Sequence, residues 1–131
     1  MAKTLAEKLL IKPDTALWSS HAEHVALLGP LPENVQIMKR MDEADTALVF
    51  GADAAAVRKI LTASKDQLAA PRVFWVAYPK GNRTDINRDK LWPILAEYGM
   101  RPISQVAIDE VWSALRFRVL NEGETPFTAG K

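Results

Sequence analysis

The sequence predicts an α/β domain, a mostly parallel sheet covered by helices on both faces. Three observations carry that prediction. Strand-like runs recur at residues 15–19, 45–50 and 72–78, the second a compact apolar run suited to a buried strand. Stretches of helical periodicity lie between them. The chain then closes on two adjoining strand-like segments, 103–108 and 111–120, joined by a tight Asp109-Glu110 turn, the pattern of an antiparallel hairpin.

Each element has a local cause. Thr4 and Glu7 have capping-box spacing before Leu9, Leu10 and Ile11, so a short helix opens the chain and Pro13-Asp14 ends it. Residues 15–19 follow as a first strand. Ser20 and Glu23 predict a second capping box, on a helix running to Leu28 that Gly29-Pro30 stops. A second strand is read at 35–39. Only residues 40–44 separate it from the third strand, fewer than the dozen or so a parallel crossover needs. Either the second strand runs antiparallel or one of its boundaries lies elsewhere.

Gly51 ends the third strand, and Asp53 is placed to cap a helix with Ala54, Val57, Ile60, Leu61 and Leu68 on its apolar side. Residues 72–78 combine β-branched and aromatic side chains between turn signals, the strongest strand pattern in the chain. Asp85 or Asn87 caps the next helix, in which Pro93 removes a hydrogen bond and invites a kink. A single domain over 1–120 is expected, with 121–131 a flexible polar tail.

Composition narrows function. Seventeen basic residues against sixteen acidic ones give a formal net charge of +1, without the excess of a typical nucleic-acid binder. No cysteine is present, which rules out disulfides and thiolate chemistry. The N-terminal residues lack the unbroken apolar core of a secretory signal, and no segment is long enough to span a bilayer. A cytoplasmic protein is expected, with no membrane and no nucleic-acid partner.

In α/β sheets of this kind the first strand–helix turn normally carries glycines, which let backbone N–H groups approach a cofactor. Here the turn reads Trp18-Ser19-Ser20-His21. The serines lack the flanking glycines of a nucleophile elbow and are assigned to capping. His21 and His24 stand three apart, but two imidazoles fall short of a closed metal site.

The loop after the strongest strand, 78–85, lies at the carboxyl edge of the sheet, where ligands of α/β proteins bind. Tyr78, Lys80, Asn82 and Arg83 are its candidate ligand-binding residues, the two cations for an anion and Asn82 for directional hydrogen bonds. Trp112 and Ser113, at the start of the last strand, complete the candidate set. The strand period places Trp112, Ala114, Arg116 and Arg118 on one face, where the arginines read as solvated or as half of a weak surface ion pair. The indole N–H of Trp112 is expected to find Asp109.

The closing strand–helix–strand–strand succession resembles the C-terminal half of class I methyltransferase-like Rossmann folds. More broadly, Leu27-Leu28-Gly29-Pro30-Leu31-Pro32, the apolar strand ending at Phe50, Trp75-Val76-Ala77-Tyr78-Pro79-Lys80 and Asp109-Glu110-Val111-Trp112-Ser113-Ala114-Leu115-Arg116-Phe117 resemble a small bacterial family built as truncated Rossmann or methyltransferase-like domains. The resemblance covers residues 5–119 and implies the fold, a three-layer Rossmann-like sheet with a C-terminal antiparallel hairpin. It implies no activity. Lys39-Arg40 stand where an acidic residue ends the second strand of true methyltransferases. The expected function is a non-catalytic module, without a cofactor, binding a small anionic ligand or a protein partner. The alternative is a divergent S-adenosylmethionine- or nucleotide-dependent transferase.

Overall fold

The computed structural model describes residues 4–81 and 84–119. Six strands form one sheet in the order β2-β1-β3-β4-β6-β5. They are β1 (Ala16–Ser19), β2 (Gln36–Ile37), β3 (Thr46–Phe50), β4 (Val73–Pro79), β5 (Met100–Ala107) and β6 (Trp112–Val119). The first four run parallel, and β6 lies antiparallel to both β4 and β5. Only β6 is therefore reversed. This is the three-layer, class I methyltransferase-like Rossmann architecture with its C-terminal hairpin.

Burial explains why β6, and not β5, takes the inner position. Ser113, Ala114, Leu115 and Phe117 of β6 are buried from both faces, whereas Ile103, Ser104 and Gln105 of β5 are exposed. Pro102 cannot donate to a ladder, which suits an edge strand, and the pairing slips between Pro102 and Ser104. β3 is buried along its whole length, as its unbroken apolar run requires.

Three α-helices, α1 (Leu5–Lys8), α2 (Ala54–Ala63) and α3 (Arg88–Ala96), and a 3-10 helix over Ala22–Leu28 cover the sheet. One face packs Ala47, Val49, Phe74, Val76, Leu115 and Phe117 against Val57 and Leu61 of α2 and Leu91, Ile94 and Leu95 of α3. The other packs Leu17, Leu48, Phe50, Trp75 and Ala114 against α1 and Leu28. The indole N–H of Trp75, fully buried, donates to the Leu9 carbonyl at 2.9 Å and ties the chain just past α1 to the middle of the sheet.

α1 has the predicted capping box, and Asp53 and Asn87 cap α2 and α3 through their side chains. Asp85 serves elsewhere, accepting from the Ala54 N–H at the start of α2. Two expectations are corrected. The predicted helix from Ser20 is a 3-10 helix whose N-cap, His21, makes no side-chain cap bond. The second strand is two residues long and parallel. Its pairing ends at Ile37 opposite Leu17, and Thr46 also starts opposite Leu17. The chain crosses β1 sideways without running back along a strand, so eight intervening residues suffice.

Gly51, between β3 and α2, packs so closely on the helix that an added Cβ would strike Val57 Cγ2. Gly51→Ala is expected to cost about 1–3 kcal/mol by overpacking. Urea unfolding measures it, and Val57→Ala in the same chain should recover part of the loss, since contacting sites are non-additive.

Candidate functional site

The carboxyl edge of β1, β3 and β4 is where a sheet of this topology receives ligands, beside the strand at which the order reverses. Here β1 is that strand, with β2 on one side and β3 on the other. The turn after β1 is closed by its own side chains. Ser19 Oγ accepts from the His21 N–H and donates to the His21 carbonyl. Ser20 Oγ accepts from the Phe50 N–H at 2.8 Å and lies 2.9 Å from His21 Nδ1. The Ser20 and Gly51 N–H groups donate to Leu48 and Ala77 carbonyls within the sheet. A cofactor held by backbone N–H groups at this turn would find Ser20, His21, Phe50 and Gly51 already committed. The residues present do not fit an adenosyl cofactor gripped in that manner.

Rings occupy the edge instead. The His24 N–H donates to the carbonyl of the N-cap His21, and the two rings lie 5.3 Å apart between centroids. His24 also stands 4.8 Å from Phe50 and 5.4 Å from Trp112, while Phe50 meets Trp112 edge-on at 5.3 Å. Phe50 is buried, but His21, His24 and Trp112 keep part of their surface in solvent. Among the described residues no three ligating side chains gather as a metal site.

The residues singled out in the sequence fall on two sides of this edge. Tyr78 and Ser113 share the face carrying α2 and α3, with Lys80 beside them, around a cavity of about 640 Å³ that Gln105 and Arg88 also line. Trp112 lies on the opposite face with the rings. Asn82 and Arg83 lie outside the described residues. Asp109 Oδ1 accepts from the backbone N–H groups of Val111 and Trp112, shaping the β5–β6 turn and leaving the indole to the ring cluster.

Gln105 was not legible as a site residue. Its amide donates to Tyr78 OH at 2.8 Å and to Ser113 Oγ at 3.0 Å. Both hydroxyls thus accept from the protein and keep a proton to donate into the cavity. The slip at Pro102/Ser104 sets which β5 side chain reaches them, and no local pattern announces it. His24 was visible through its spacing from His21, a pair too small for a metal site; in the structure the two rings meet at a tilt of 40°.

No protein-family model and no curated protein matches the sequence. Solved structures do. A protein of the NADB-Rossmann superfamily from Streptococcus agalactiae aligns with a TM-score of 0.56 at 13% identity, over 92% of this chain and 70% of its own. The Bacillus subtilis tRNA methyltransferase TrmK aligns at 0.60 and 12%, over 95% and 71%. A Streptococcus pneumoniae protein assigned the same tRNA activity, solved with S-adenosyl-L-methionine, aligns at 0.56 and 12%, over 98% and 77%. The fold is that of Rossmann-superfamily, methyltransferase-like proteins.

These structures correct the partners expected from composition. The B. subtilis neighbour is a tRNA methyltransferase and the S. pneumoniae one holds S-adenosyl-L-methionine, so a near-neutral chain gives no ground for excluding nucleic acid or for favouring a small anion or protein. Net charge averages over a surface, whereas recognition depends on where charges gather. No helix of the described residues is long and apolar enough to cross a membrane.

Ser20→Ala removes the acceptor of the part-buried Phe50 N–H and is expected to cost about 1–3 kcal/mol. Amide exchange at Phe50 should accelerate together with the fall in urea midpoint; unchanged exchange would show that the hydroxyl does not hold the seam.

Proposed function

We propose that this domain is a divergent nucleotide-dependent transferase of the methyltransferase-like fold, with a nucleotide-like ligand, free or within an RNA strand, at the carboxyl edge of its sheet. The ring cluster carries this reading. A nucleobase stacks on an aromatic side chain by its π-face whatever its hydrogen-bonding pattern, and His24 and Trp112 offer part-exposed rings at the edge where α/β ligands bind. Stacking replaces the backbone cradle that Ser19 and Ser20 have closed.

On the other side of the edge, Tyr78, Ser113 and Lys80 supply two hydroxyl donors and an ammonium for the sugar and phosphate. Asn82 and Arg83 follow Lys80 closely in sequence and extend this assignment there. The likeness to tRNA methyltransferases, one holding S-adenosylmethionine, supports a nucleotide-like ligand without fixing which one.

Titration calorimetry with adenosine monophosphate, S-adenosylhomocysteine and a short single-stranded RNA tests the reading. At least one should bind the native protein. Trp112→Ala should then weaken it by about 1–3 kcal/mol, roughly five- to 150-fold in Kd, while Trp112→Phe retains most of the affinity. Failure of all three to bind, or affinity untouched in both Trp112→Ala and His24→Ala, would overturn it.

A further inference from the structure

At the opposite end of the sheet the strands β1, β3 and β4 begin and β6 ends. A cavity of about 210 Å³ opens there, with Lys12, Arg72 and Arg116 in its wall together with Thr15, Thr46 and Asp45. Arg116 is not the solvated residue its strand pattern suggested. It is half-buried, and its Nε–H is fully enclosed with no hydrogen-bond acceptor among the described residues.

None of the three cations forms an ion pair within 4 Å among the described residues, where the pairs are Arg40–Asp42, Arg58–Glu97 and Arg88–Asp89. The one carboxylate in the wall, Asp45, is engaged through Oδ2 by the Ala16 N–H at 2.9 Å. Three cations against that carboxylate leave the wall with two net positive charges. A guanidinium N–H enclosed without an acceptor is an uncompensated desolvation of the charged group, and an anion in the cavity, meeting the part of Arg116 that lines it, would offset that cost through charge.

We propose that Lys12, Arg72 and Arg116 form a phosphate site, filled by a backbone phosphodiester of a single-stranded nucleic acid. Size selects the ligand. The cavity is below the roughly 300–1,000 Å³ that encloses a drug-sized molecule, so it takes a phosphate group and leaves the nucleosides on either side outside. Geometry selects the chemistry, since an arginine fork and an ammonium grip tetrahedral phosphate oxygens, while Thr46 adds a hydroxyl to the wall and the Thr15 hydroxyl donates to the Lys12 carbonyl. The nucleic-acid part of this assignment rests on the nucleotide-like ligand proposed above; the phosphate part stands apart from it.

The test follows the Arg116 Nε–H resonance of nitrogen-15-labelled protein, identified by its disappearance in Arg116→Lys. Inorganic phosphate and then a short single-stranded RNA are titrated into the full chain. The resonance should move with both probes. Lys12→Ala and Arg72→Ala, at solvent-facing positions, should each weaken RNA binding severalfold and reduce the slope of log affinity against log salt by about 0.7, with thermal midpoints unchanged.

A resonance unmoved by either probe would overturn the site. Movement with phosphate alone would overturn its assignment to a nucleic-acid strand. Trp112→Ala separates the two proposals: it should leave the phosphate response of Arg116 intact even where it abolishes nucleotide binding at the other edge.

Discussion

The seam between β1 and β3 governs this molecule. It is the point where strand order reverses, and a side chain closes it at each end. Asp45 accepts from the Ala16 N–H at the amino end, and Ser20 accepts from the Phe50 N–H at the carboxyl end. Each bond satisfies a backbone donor that the ladder leaves over, and an unpaired donor at such a place is costly. With the seam fixed, β2 pairs on one side of β1, while β3 and β4 follow on the other.

Closing the carboxyl end with serine has a chemical consequence. A glycine turn leaves N–H groups pointing outward for an anionic or adenosyl ligand. Here those donors are consumed within the protein, and the space beyond them holds imidazole and indole rings. The glycine of this region sits instead after β3, where it lets α2 close onto the strand. The same architecture is thereby shifted from backbone recognition toward recognition by ring faces. The amino end carries the opposite chemistry, a cation cluster around a carboxylate already engaged.

Much of the frame was legible because its causes are local. The unbroken apolar run of Thr46–Phe50, the Asp53 and Asn87 caps, and the aromatic richness of Val73–Pro79 each follow from residues within a few positions. Pro93 was legible as a defect, and α3 nonetheless runs through it, because Leu91, Ile94 and Leu95 bury one side of the helix against the sheet. The capping box expected at Ser20 failed for a distant reason. Its capping oxygen was drawn to Phe50, thirty residues away in sequence.

The sequence by itself determined the fold class, the order of strands and helices, and the absence of a glycine turn after the first strand, since periodicity and turn chemistry act over short distances. Tertiary structure alone decided which strand is reversed inside the sheet. It also set Tyr78 and Trp112 on opposite faces of one edge, gave Gln105 two hydroxyls to hold, and enclosed Arg116 between neighbours. These outcomes depend on register between strands far apart in the chain. A shift of one residue there exchanges every side chain between faces, and no local pattern records that choice.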